Sequence, residues 1–149
     1  MARLAGIVAA IGALTAAGVA LAAATDTYSY RATLGPKGEV PPPTAPAKAA
    51  GVFSATVTEK KGKATIRWTL TFRRLSGKAM AAHIHKGAAG VAGPIVVPLC
   101  APCRNGQNGR QAIDEDLASA LEKGGYYVNV HTAKNTGGEI RGQLKLVGG

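Results

Sequence analysis

The chain has three histidines, and all of them lie in two short segments that alternate like β-strands. His83 and His85 flank Ile84 in Ala82-His83-Ile84-His85, and His131 follows Asn129 in Tyr127-Val128-Asn129-Val130-His131-Thr132. Side chains of a strand alternate between its two faces. Ile84, Val128 and Val130 therefore point one way and His83, His85, Asn129 and His131 the other. Gly138-Glu139-Ile140-Arg141-Gly142-Gln143 follows the same rule, with Glu139 and Arg141 opposed to Ile140. If these strands are neighbours, their polar sides gather three imidazoles, a carboxylate, a guanidinium and an amide. Two imidazoles at i and i+2 with a third from an adjacent strand are a suitable ligand set for copper or zinc. The same groups also suit a hydrogen-bonded network that locks strands together, or an anion or glycan site using His and Arg as donors. Arg141 weighs against the metal, because a fixed positive charge repels a cation and pairs with Glu139. The network of His83, His85, Asn129, His131, Glu139 and Arg141 is thus the first reading. A copper or zinc site on His83, His85 and His131 is the second.

The elements that position these residues are short and strand-like. Thr27 to Leu34 alternates weakly. Gly35 to Ala50 is rich in Pro and Ala and reads as an extended loop. Val52 to Glu59 alternates, and Lys60-Lys61-Gly62-Lys63 reads as a hairpin turn with Gly62 at positive φ. The next run has Ile66, Trp68, Leu70 and Phe72 on one side and Thr65, Arg67, Thr69 and Thr71 on the other, a sheet with one face in the core and one in water. After Gly77, strand character resumes from Met80 to His85. Lys86 to Pro94 is a glycine-rich loop, Ile95 to Leu99 a short apolar strand, and Arg104 to Gly109 a loop. Asp114 is placed to cap a short helix that buries Leu117, Ala118 and Leu121 and ends at Gly124. Tyr126 to Thr132 and Glu139 to Leu146 are expected to close the domain as one antiparallel pair. Seven or so strands with one helix predict an all-β fold, an antiparallel Greek-key-like sandwich or barrel. One core is expected to hold Ile66, Trp68, Leu70, Phe72, Ile84, Val128, Val130, Ile140 and Leu144.

The same segments carry a family resemblance. Glu39-Val40-Pro41-Pro42-Pro43, His83-Ile84-His85-Lys86-Gly87, Gly93-Pro94-Ile95-Val96-Val97 and the closing Tyr127 to Thr132 and Gly138 to Gln143 motifs resemble a CHRD (chordin-type) domain from about Tyr28 to Leu146. Thr136 departs from the pattern, which usually has Pro there. The resemblance implies an exported all-β domain, found singly in bacterial proteins and repeated in chordin, and implies little about activity. The His-x-His pattern on a sandwich is also similar to copper–zinc superoxide dismutases. Three histidines cannot supply both metal sites of that class, so the likeness ends there.

Residues 1–24 read as a signal peptide. Arg3 precedes an uncharged apolar run from Leu4, and Ala22-Ala23-Ala24 offers a small-residue cleavage site. Residues 25–149 then form one domain, with no membrane association after cleavage. The expected location is periplasmic, cell-envelope or secreted. The full chain carries a formal net charge of +10 and an isoelectric point near 10.0. That charge suits an anionic cell-envelope polymer, or a protein partner. Scattered basic residues with few aromatics between them exclude a nucleic-acid reading. Cys100 and Cys103 are expected to form a disulfide in an oxidising compartment. Ser29, Ser54, Ser76 and Ser119 have no histidine in a nucleophile setting, and Asp114, Glu115 and Asp116 suit a helix start. The expectation is a non-enzymatic binding or structural module with no cofactor, or else one that holds copper or zinc.

Overall fold

The computed structural model describes residues 24–46 and 48–149. The expected signal segment lies outside the described residues, apart from Ala24. Among the described residues nine strands form two antiparallel sheets: β1 (Asp26–Leu34), β2 (Ala50–Glu59), β3 (Ala64–Arg73), β4 (Ala79–Lys86), β5 (Ile95–Cys100), β6 (Gln107–Ile113), β7 (Tyr126–Thr132), β8 (Ile140–Gln143) and β9 (Lys145–Gly148), with one α-helix, α1 (Glu115–Glu122). The first sheet has the order β6-β3-β2-β1-β9 and the second β5-β4-β7-β8. The architecture is the all-β sandwich expected from the alternation.

The predicted core is present. Ile66, Leu70, Ile84, Val128, Val130 and Ile140 are fully buried, Trp68 and Leu144 nearly so, and Phe72 packs partly buried at the margin. Phe53, Val57, Tyr30 and Leu34 complete it from β1 and β2. Trp68 lies over Gly109, its partner on β6, where any Cβ would collide with the indole. Gly142 has a related role. A Cβ there would strike the backbone oxygen of Thr33, so glycine allows β8 to approach β1. Beside it, Gly35 and Arg141 exchange backbone hydrogen bonds of 3.1 and 3.0 Å, which tie the two sheets together.

Four local expectations are corrected. The polar run after the cysteines is not only loop: residues 107–113 form β6, which pairs with β3 from Leu70–Gln107 to Ala64–Ile113. One side of this edge strand is half-buried, but its inward positions are Gln107, Gly109, Gln111 and Ile113, so it carries no apolar alternation to read. The stretch from Glu139 to Leu146 is not one strand. It divides into β8, paired with β7, and β9, which crosses to pair with β1. Pro36–Gly38 forms a 3-10 turn within the Pro-rich loop. Asp114 occupies the N-cap position of α1, but its side chain makes no capping hydrogen bond. Gly62 takes positive φ as expected, and Lys61 joins it.

Cys100 and Cys103 are joined, with Cα atoms 5.2 Å apart. The bridge closes the turn after β5, where the Cys103 N–H also donates to the Ala79 carbonyl at 3.0 Å. A loop this short removes little entropy from the unfolded chain, so reduction is expected to cost about 2 kcal/mol or less. Urea melts with and without reductant measure that difference. Free-thiol titration of protein from an oxidising compartment should find none, and two reactive thiols would contradict the pairing.

Candidate functional site

The register of the second sheet sets the site. His83 lies beside Asn129, which lies beside Arg141; His85 lies beside Tyr127, which lies beside Gln143; Ala81 lies beside His131. Parity places all of these side chains opposite Ile84, Val128, Val130 and Ile140, on the outer face. That face is only partly open to water: His83 and His131 are half-buried, and His85, Asn129 and Arg141 lie deeper. Asn129 is 2% exposed, Arg141 3% and His85 7%, so β7 and β8 are buried on both sides. The cover is the segment from Gly87 to Pro94. Arg141 Nη2 donates to the carbonyls of Ala88 and Val91 at 2.8 and 2.9 Å, Gln143 Nε2 to that of Gly87 at 3.1 Å, and the Gly93 N–H to the Tyr127 hydroxyl at 3.2 Å. Gly93 is required there, because a Cβ would overlap the Lys86 carbonyl.

The three histidines form one cluster, with a ligand nitrogen from each lying within 4.8 Å of the others. Their hydrogen bonds define the tautomers. His85 Nδ1 lies 2.8 Å from the Gly93 carbonyl and His131 Nδ1 2.9 Å from that of Thr136. A carbonyl only accepts, so both Nδ1 atoms carry a proton, and in the neutral form of each ring Nε2 presents a lone pair. His83 Nδ1 lies 3.0 Å from His131 Nε2. His85 Nε2 is buried and has no partner. Burial, then the neighbouring His131 and His85, pushes the His83 imidazole down to about 4. Burial also lowers His131, against the opposing effect of its bond to Thr136. His83 and His131 are therefore neutral at pH 7, the form that binds metal.

Tyr127 stacks on His85, with centroids 4.8 Å apart and planes 9° apart, and the Arg141 guanidinium lies 3.3 Å from the Tyr127 centroid. Strand order puts Tyr127 between the imidazole and the guanidinium. Arg141 does not pair with Glu139. It is directed to carbonyls, to Gln143 and to the tyrosine ring.

Glu139 stands apart from the histidines. Fully buried, it accepts from the Ser76 N–H at 2.6 Å, the Ser76 hydroxyl, the Thr132 hydroxyl at 2.6 Å and Asn135 Nδ2 at 2.9 Å. It lies just before β8 begins, so strand parity does not govern its side chain. Of the six predicted polar residues, the structure thus gathers the three histidines, brings Asn129 and Arg141 beside them on one face, and sends Glu139 into a separate network.

The carboxylate that does reach this face is Glu39, from the Pro-rich loop, 5% exposed and seated against Gly138. Burial pushes it up to about 7, while Arg141, the Val40 N–H and Asn129 act the other way. Glu39 and Gly93 stand in the sequence only as members of the Glu39 to Pro43 and Gly93 to Val97 motifs, with nothing local to bring either to this face, whereas Tyr127 shares the parity of Asn129. Because the folded value of Glu39 exceeds its unfolded value near 4.5, its contribution to stability is complete below about pH 4.5 and is lost as the pH rises through about 7. Glu39→Gln is expected to be about 1–2 kcal/mol more stable than the parent at pH 8, with the gap closing by pH 5. Denaturant melts at the two pH values measure it, and a variant less stable at pH 8 would show that the ionised carboxylate is needed.

Residues 30–144 match the family model described as the CHRD domain. No curated protein and no solved structure matches the chain.

Proposed function

We propose that this chain, which belongs to the CHRD-domain family, is an exported binding domain that holds one copper or zinc ion on His83, His85 and His131. The observation that carries the reading is His85 Nε2, a buried lone pair beside two other imidazoles with no protein partner. Buried polar atoms are nearly always paired; Asn129 Oδ1 and Arg141 Nη1 on the same face are also without a partner, and His85 Nε2 is the one among the three that stands beside two further imidazoles. The carbonyls of Gly93 and Thr136 behind His85 and His131 supply the outer contacts that orient metal-binding imidazoles. Nitrogen ligands at about 2.0–2.1 Å from one ion stand roughly 3.3 Å apart, so small ring movements and transfer of the His83 proton from Nδ1 to Nε2 complete the set. The objection from Arg141 is weakened by its engagement with carbonyls and Tyr127.

Three imidazoles suit copper and zinc alike and leave a further coordination position for water or a small ligand. We read the site as a holder of metal and not as a catalyst, because the groups touching the histidines are carbonyls and a tyrosine ring. The signal-like N-terminus and the disulfide support an extracytoplasmic location. Among the described residues no helix is long and apolar enough to cross a membrane. Native mass spectrometry of the purified chain with copper or zinc tests the proposal. One ion per chain is expected, with none retained by a His83→Ala/His131→Ala double variant. A parent chain that stays metal-free at saturating copper and zinc would leave the structural network as the role of the cluster.

A further inference from the structure

The outer face of the first sheet carries a second feature, independent of the histidines. Strand pairing aligns Lys145 with Arg31, Arg31 with Ser54, Ser54 with Thr69 and Thr69 with Asn108, and in the next row Ser29 with Thr56, Thr56 with Arg67 and Arg67 with Arg110. Arg31, Ser54, Arg67, Thr69, Asn108, Arg110 and Lys145 are all exposed. Arg67 and Arg110 are direct cross-strand partners, a like-charge pairing that costs stability unless an anion neutralises it. Arg31 and Lys145 repeat that pairing on β1 and β9. Between the two cationic pairs lie the hydroxyls of Ser54, Thr56 and Thr69, in a shallow depression that Arg31 and Arg67 also line. The outward positions of these five strands include no Asp or Glu. Five strands at about 4.8 Å make a track roughly 19 Å long that runs across them.

We propose that this face binds a linear acidic polysaccharide. Its carboxylate or sulfate groups would meet the paired cations, and its hydroxyls the Ser and Thr rows. Arginine suits such planar or multidentate anions. A second copy docked face to face is excluded as occupant, because the face would meet its own charge. The outward positions carry no aromatic ring on which a nucleobase could stack, and a flat sheet does not enter a DNA groove. Only Ala50, Val52, Ala112 and Val147 are apolar there, too few to insert into a bilayer.

The test measures binding of the full folded chain to alginate and dextran sulfate at about 0.15 M salt, with neutral dextran, polyphosphate, duplex DNA and anionic phospholipid vesicles as the other arms. The acidic polysaccharides are expected to bind and dextran not to. Arg31→Glu/Arg67→Glu should weaken binding about ten- to a hundredfold, as the loss of two charge-assisted contacts implies. Arg31→Gln/Arg67→Gln should weaken it less, which guards against an effect of misfolding. Lys37→Glu/Lys134→Glu, the same charge change at exposed positions beside the second sheet, should change it less than about threefold. Equal losses in the two Glu pairs would reduce the effect to net charge and overturn the proposal. So would polyphosphate, DNA or vesicles binding as tightly as the polysaccharides, or no binding to either polysaccharide.

Discussion

Glu139→Ala is expected to destabilise the domain by about 3–5 kcal/mol, more than any other single change at the polar residues. The carboxylate is fully buried and accepts four hydrogen bonds, from the Ser76 N–H and hydroxyl, the Thr132 hydroxyl and the Asn135 amide. It fastens the segment after β3 to the β7–β8 connection, and its removal leaves buried donors with nothing to accept them. Asn135 also holds the Pro-rich loop, donating to the Thr44 carbonyl at 3.2 Å while its Oδ1 accepts from the Thr44 N–H at 2.9 Å, so the damage spreads to a third segment. Burial alone raises the carboxyl of Glu139, but the bonds from Ser76, Thr132 and Asn135 outweigh it and hold the group below its usual 4.5. A folded value below the unfolded one gives stability that is present above about pH 4.5 and is lost as the pH falls through the folded value. Urea melts from pH 7 down to pH 3 should show this acid slope in the parent and a flatter one in Glu139→Gln. The Glu39 contribution has the opposite sign and a higher window, so the two separate. A loss below about 1 kcal/mol for Glu139→Ala at pH 7 would mean that the network contributes little.

His85→Ala is expected to abolish stabilisation by metal. In the parent, an ion that binds only the folded chain raises its stability by about 2.7 kcal/mol at a hundred times the dissociation constant. The variant keeps His83 and His131 but loses the buried Nε2 that completes the set. Without metal, it should also lose about 1–3 kcal/mol, because the Gly93 carbonyl and the face of Tyr127 are left without a partner. Thermal melts of both proteins with chelator, then with copper and with zinc, separate the two effects. If the parent shows no metal-dependent shift, the ion has no place in the stability of this domain. An undiminished shift in His85→Ala would move the site elsewhere.

Alternation determined much of this molecule before any fold was known. Period two in β3, β4 and β7 assigned Ile66, Trp68, Leu70, Ile84, Val128 and Val130 to the core and His83, His85 and His131 to the other side. A strand has only two faces, and that choice is local. The motifs in Glu39 to Pro43, His83 to Gly87 and Tyr127 to Gln143 were also sufficient to point to the family. Parity says nothing about what covers a face or which strands are neighbours. Only the tertiary structure decided that Gly87 to Pro94 folds over His85, Tyr127 and Arg141, burying that part of the polar face with a free imidazole nitrogen while His83 and His131 stay half-buried. It alone sent Glu139 into the sheet end with Ser76 and brought Glu39 to Arg141 instead, because both acids lie outside regular strands, where no period fixes a direction. It also set Arg67 against Arg110 and Arg31 against Lys145. Those pairings depend on strand order and register across distant segments, and β6, polar on both sides, carried no local signal of the strand it forms.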